Sequence, residues 1–265
     1  MANPDILALD FDGVVCDGLR EYFQTAWRVY SEVFEPEAES PPEDLADRFY
    51  PLRPVVETGW EMPLVIYALR SGVADAEILT HWPELIPPLL AQAGVEAATL
   101  GQAVDRVRDR WIQADLADWL SYQRFYPGVI DRLHQARADG VELVIVSTKE
   151  GRFIQQLLAQ AGLDLASDRI LGKEVKQPKY ETLRQIQAAQ PAAALWFVED
   201  RVKALQAVQK QPDLGTVGLF LADWGYNTAG DRALAAPGSG LHSLTLDQFC
   251  GPFAGWLQTP AAKNP

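Results

Sequence analysis

Four short apolar runs separated by amphipathic helical patterns predict an α/β fold. The expected core is a three-layer α/β/α Rossmann-like sandwich around a parallel sheet. Roughly a hundred residues between the first and second runs contain no convincing strand. They predict an inserted all-α cap domain. At about 150 residues per domain, a chain of 265 residues fits one large domain or a core with an insert.

The first run, Ile6–Leu9 (ILAL), is unbroken and ends at Asp10 and Gly13. Half-exposed strands alternate apolar with polar residues, whereas strands of a parallel sheet are covered on both faces and read as continuous apolar stretches. Val141–Val146, Leu195–Val198 and Thr216–Leu221 have the same character. Helical patterns follow at Gly128–Ala138, Gly151–Ala161, Pro178–Ala189 and Arg201–Lys210. The insert carries helical patterns at Leu19–Phe34, Pro42–Phe49, Val55–Leu69, Pro83–Ala93 and Thr99–Trp119, with breaks at Pro36, Pro51, Gly72 and Gly94. The expected division is a core of residues 1–18 and 125–258, a helical cap of residues 19–124, and a frayed tail of residues 259–265.

Composition narrows the function. Apolar residues at 48% and charged residues at 22% are ordinary for a globular chain, which excludes intrinsic disorder as the main state. A net charge of −13 argues against nucleic acid as a partner, because such proteins present a basic field. Cys16 and Cys250 are too few for a disulfide scaffold, and His81, His134 and His242 form no zinc-ligand spacing. The first residues, MANPDILALDFD, lack the basic segment of a signal peptide, and no stretch nears the ~20 apolar residues of a membrane span. A cytoplasmic location and no membrane partner are expected.

In open α/β sheets, ligands sit beyond the carboxyl ends of the strands. The first run leads into Asp10-Phe11-Asp12-Gly13, the second into Ser147-Thr148-Lys149, and the next into Glu199-Asp200; Thr216–Leu221 runs on to Ala222–Thr228. Lys173, Lys176 and Lys179 lie near the start of an intervening helix. Carboxylates at the tip of a buried strand are costly unless neutralised. A divalent cation such as Mg2+, which prefers oxygen ligands, would neutralise them together with a lysine. The set suits phosphoryl transfer through an aspartyl phosphate.

The stretches DFDGVVCDG, VIVSTK, KQPKYETL and WFVED, in that order, resemble the four motifs of the haloacid dehalogenase superfamily, in its phosphatase-like branch with a helical cap. RPVVETGWE, QPK, FVEDR and DWGYNT are similar to a cyanobacterial and plant subgroup of undefined substrate. The resemblance implies Asp10 as nucleophile and Mg2+ ligand. It implies Asp12 as general acid/base, with its backbone carbonyl toward the metal. An Asp at this second position favours phosphate chemistry over carbon–halogen cleavage. Ser147, Thr148 and Gly13 would contact the phosphate, and Glu199 and Asp200 would hold the metal. The motif lysine is expected to be Lys179, with Lys176 as the alternative and Lys173 third. Ala204 stands where one form of the fourth motif has a second Asp, so Glu199 is read as its substitute.

The implied activity is a Mg2+-dependent phosphatase acting on a small phosphorylated metabolite. The alternatives are a phosphomutase with the same core or a non-catalytic binding module. The oligomeric state stays open. Other residues have two readings. Arg53, Glu57 and Glu61 share a face if they are helical, either as a solvated ion-pair face or with Arg53 binding a substrate anion. In Trp224–Thr228, either Asn227 lines the cleft mouth, or Trp224 and Tyr226 cover the sheet edge. Asp17 is expected to cap the helix that starts at Leu19.

Overall fold

The computed structural model describes residues 3–35 and 40–257. The expected tail of residues 259–265 and the break at Pro36 lie outside the described residues. The chain divides into two compact units: residues 1–17 with 125–265, and Gly18–Arg124.

Among the described residues, the main sheet of the first unit has six strands: β1 (Ile6–Leu9), β2 (Glu142–Val146), β3 (Ile170–Leu171), β4 (Leu195–Glu199), β5 (Gly218–Ala222) and β6 (His242–Leu244). Their order across the sheet is β3-β2-β1-β4-β5-β6, and every neighbouring pair is parallel. Successive side chains of a strand point to opposite faces. Ile6, Ala8, Val144, Val146, Phe197, Leu219 and Leu221 pack with Leu183, Leu205 and Val208 from the helices Lys179–Ala189 and Val202–Gln209. Leu7, Leu9, Leu143, Ile145, Val198 and Phe220 are buried as well. Burial of both registers explains the unbroken apolar runs. Each buried Val, Leu, Ile or Phe side chain contributes about 1.5–3 kcal/mol of transfer free energy.

The edge strands β3 and β6 are two and three residues long, too short to stand out as runs. β5 starts at Gly218 rather than Thr216, and Gly218 lies against Trp196, whose Cδ1 would be 2.7 Å from an added Cβ.

The second unit, Gly18–Arg124, is helical. Leu19–Val33, Leu45–Phe49, Glu61–Arg70, Asp75–Ala93, Ala97–Ala114 and Leu116–Ser121 form its α-helices. The expected Val55–Leu69 helix is a correction. Tyr50–Val55 is a 3-10 turn carrying Pro54, and the α-helix begins only at Glu61. Arg53, Glu57 and Glu61 therefore do not share a helical face. Glu61 is buried, and it accepts the backbone N–H of Thr58 (2.9 Å), the Thr58 hydroxyl (2.7 Å) and Trp82 Nε1 (2.9 Å). The Thr99–Trp119 pattern breaks at Asp115, whose side chain caps the next helix by accepting from Asp118 N at 2.9 Å. Asp75–Ala93 kinks at His81, two residues before Pro83. No helix among the described residues is long and apolar enough to cross a membrane.

Candidate active site

In this strand order the chain adds strands outward on one side from β1 and on the other side from β4, and ligands of doubly wound sheets sit beyond the carboxyl ends at that switch. Asp10 leaves β1 and Asp200 leaves β4 at this point. Asp10 N donates to Val198 O at 2.9 Å, and Phe11 N donates to Asp10 Oδ1 at 2.7 Å. Lys179 opens the helix Lys179–Ala189. Its ammonium lies 2.8 Å from Asp10 Oδ2 and 2.6 Å from Glu199 Oε2. Glu199 Oε1 accepts the backbone N–H groups of Asp200 (3.1 Å) and Arg201 (3.0 Å). Asp200 Oδ2 accepts Tyr226 N at 2.7 Å.

Asp10, Glu199 and Asp200 are all buried, and one oxygen from each lies within 4.8 Å of the others. Three carboxylates face one ammonium, an excess of two negative charges when all are ionised. Burial pushes the Asp10 carboxyl up to about 7, with Lys179 opposing and Glu199 and Asp12 adding to the rise. Burial also raises Glu199 and Asp200. Lys179 is held charged because Asp10 and Glu199 outweigh its desolvation. The hard oxygen donors and the charge excess fit a divalent cation.

A carboxyl raised by folding binds its proton more tightly folded than unfolded. Its contribution is fully present below the unfolded value of 3.8 and is lost as pH rises toward about 7. Without divalent cations, the wild-type protein should therefore lose stability through Asp10 across that window. Mg2+ should restore it at pH 7.5, by ~2.7 kcal/mol at 100 times its dissociation constant. Urea midpoints in EDTA and in Mg2+ at pH 5 and 7.5 measure this. An equal Mg2+ effect at both pH values would count against a cation at these carboxylates.

The model of the haloacid dehalogenase-like hydrolases matches residues 4–210, spanning both motif-bearing ends of this site. The chain belongs to that family. No curated protein matches the sequence significantly. Among solved structures, a protein of Bacteroides fragilis assigned by inference as a haloacid dehalogenase-like hydrolase is 16% identical. The match covers 92% of this chain and 97% of that one, with a TM-score of 0.57. A predicted phosphoglycolate phosphatase from Haemophilus somnus is 16% identical over 86% and 88% of the two chains, with a TM-score of 0.54. A family hydrolase from Deinococcus radiodurans, solved with phosphate and sodium, is 18% identical over 92% of each, with a TM-score of 0.52. At these identities the likeness is one of fold.

Other residues of this haloacid dehalogenase-like hydrolase take defined places. Asp12 lies outside the three-carboxylate cluster and pairs with Lys149, whose Nζ is 3.1 Å from Oδ1 and 3.4 Å from Oδ2. Ser147 is buried and its Oγ accepts Lys149 N at 3.3 Å; Thr148 is exposed. Lys173 and Lys176 are exposed, and Lys176 has a left-handed backbone at φ 51°. Lys179 is thus the lysine that reaches Asp10.

Asn227 is a correction, because its side chain is spent inside the protein. Nδ2 donates to Asp200 O (3.0 Å) and Ala222 O (2.8 Å), and Oδ1 accepts Arg232 Nη1 at 3.0 Å. It braces the Asp200 loop instead of lining a cleft mouth. Asp17 is another, since Gly18 is the N-cap with no side-chain bond, and Tyr226 Oη donates to Asp17 at 3.1 Å. Trp224 Nε1 donates to Val14 O at 3.1 Å, tying the loop after β5 to the loop after β1. Within the helical unit, Arg53 donates to Val56 O at 3.0 Å and lies 4.9 Å over the Tyr22 ring.

Sequence reasoning assigned no role to Lys149 or Gly225. Lys149 follows Ser147-Thr148 directly, so its signal was adjacency to a strand end. Gly225 packs on Asp200, where an added Cβ would strike Asp200 Cβ and Gly13 O. Gly13 closes the other side, with φ +87° and an added Cβ 2.5 Å from Asp200 Cγ. Gly13→Ala should therefore displace Asp200 and cost about 2 kcal/mol or more. Its thermal shift on Mg2+ titration should shrink relative to wild type; an unchanged Mg2+ response would show that Gly13 does not seat Asp200.

Proposed function

We propose that this hydrolase is a Mg2+-dependent phosphatase acting on a small phosphorylated metabolite through an aspartyl phosphate on Asp10. The observation that carries the reading is Asp10 itself, a buried carboxylate clamped by Lys179 at the switch point, with Asp200 alongside. A carboxylate so held is aimed and cannot swing away, which is what a nucleophile in phosphoryl transfer needs.

In this reading Asp10 attacks phosphorus while Asp12 supplies the proton to the departing ester oxygen. Asp12 then takes a proton from the water that breaks the acyl phosphate. Lys179 offsets charge on Asp10 and on the phosphoryl oxygens. The Ser147 hydroxyl and the Thr148 N–H contact those oxygens, and Gly13 allows their close approach. Asp10 and Asp200 would hold Mg2+, with the Asp12 carbonyl toward it; the bound ion supplies charge stabilisation to the phosphoryl group. Glu199 would complete this carboxylate set, and its bonds to Lys179 and to the N–H groups of Asp200 and Arg201 also fix its neighbours.

The helical unit serves as the cap that selects the substrate, with Arg53 as its candidate anion contact. The phosphate held by the Deinococcus radiodurans neighbour and the phosphatase description of the Haemophilus somnus neighbour agree with this reading. The test is phosphate release from a broad panel of phosphorylated metabolites, with Mg2+ and with EDTA. Release that needs Mg2+ is expected. No release from any member would overturn the reading, and an isomeric phosphate ester as product would convert it to a mutase.

A further inference from the structure

Asp12 is the more exposed of the two loop carboxylates, its side chain at 19% against 10% for Asp10. Burial alone does not hold it, and what meets it is Lys149. We propose that Lys149 is a positioning residue that holds the Asp12 carboxylate where it takes the proton of the attacking water. This rests on the reading of Asp12 as the acid/base.

The placement of Lys149 is built by the fold. Its carbonyl accepts Lys173 N at 2.9 Å, and its own N–H reaches Ser147 Oγ. Gly172 presses on this segment, since a Cβ there would lie 2.7 Å from Lys149 O and 2.6 Å from Gly151 N. The side chain is 9% exposed and its ammonium lies 5.9 Å from the centre of the Phe11 ring. Phe11 in turn packs edge-on against Phe125 at 6.2 Å.

A surface lysine–aspartate pair is mobile and contributes little. This one is anchored at its main chain and engages both oxygens of Asp12. A carboxylate has about four lone-pair directions, so the ammonium leaves others open to water. In the second half of the reaction, the water oxygen bonds to phosphorus and its proton passes to Asp12. The bond from phosphorus to Asp10 breaks, and Asp10 regains its carboxylate. A displaced Asp12 slows this step even when Asp10 is intact.

The experiment uses p-nitrophenyl phosphate, whose leaving group departs as a stabilised anion without protonation. For this substrate kcat/KM reports formation of the aspartyl phosphate, and kcat includes its hydrolysis. In Lys149→Met with Mg2+, kcat should fall about 10-fold or more while kcat/KM stays within about twofold. A burst approaching one p-nitrophenolate per enzyme should precede the slow phase. Lys149→Arg, which keeps the charge and donors, should recover most of kcat. If kcat and kcat/KM fall together with a reduced burst, Lys149 is only a packing element and the proposal is overturned. Asp12→Ala run beside it separates the two readings. If it shows the split and Lys149→Met does not, the proposal alone fails. If Asp12→Ala turns over p-nitrophenyl phosphate and an alkyl phosphate like wild type, the acid/base reading fails and takes the proposal with it.

Discussion

Asp10→Asn should abolish phosphate release and, in EDTA at pH 7.5, make the protein more stable. The amide keeps the shape of the carboxyl but cannot form an acyl phosphate, so turnover should drop at least about 10³-fold. The stability gain follows from burial. The Asp10 carboxyl is pushed up to about 7, so at pH 7.5 the wild type carries a charge that the folded state disfavours relative to the unfolded chain. Removing that charge relieves a cost on the order of a few kcal/mol, reduced by the lost contact with Lys179. The advantage should narrow toward pH 5, where wild-type Asp10 takes up its proton. Mg2+ should then stabilise wild type more than the variant. Urea melts at the two pH values and a single-turnover assay check both halves. Wild-type turnover in Asp10→Asn would sink the nucleophile assignment. A lower midpoint than wild type at both pH values would sink the burial argument.

Lys179→Ala should be severe and Lys176→Ala nearly silent. Removing Lys179 leaves Asp10 and Glu199 buried without their shared ammonium, which typically costs about 3–5 kcal/mol for one lost partner of a buried pair. Activity should fall about 10²-fold or more, because a preorganised charge on the reacting oxygens is lost. Excess Mg2+ should recover part of the stability by occupying the freed carboxylates. Lys176 is exposed, and its replacement should stay within about 0.5 kcal/mol and leave turnover unchanged. Lys179→Met keeps the volume of the stem, so it reads the charge alone if the alanine variant folds poorly. Equal, mild losses at both positions would mean that neither lysine holds the nucleophile.

Much of the core was legible because strands covered on both faces need continuous apolar runs. Ile6–Leu9 was read with the boundaries the structure gives it, and Leu195–Val198 stops one residue short of its strand. The edge strands Ile170–Leu171 and His242–Leu244 escaped because two or three residues make no period. In the helical unit, four-residue spacing at Arg53, Glu57 and Glu61 suggested a helix. Pro54 and the chain-end bonds accepted by Glu61 instead made a turn and a helix start.

The sequence by itself determined the α/β class, the place of the helical insert, and the acids that follow β1 and β4. These are encoded by neighbours in the chain, through periodicity and through residues just past a strand end. Tertiary structure alone decided which lysine meets Asp10, that Glu199 anchors Lys179, that Asn227 is spent on Asp200, and that Lys149 reaches Asp12. Each of those contacts joins residues between 20 and 169 positions apart. Their partners are chosen by strand order and helix packing, which no local spacing records.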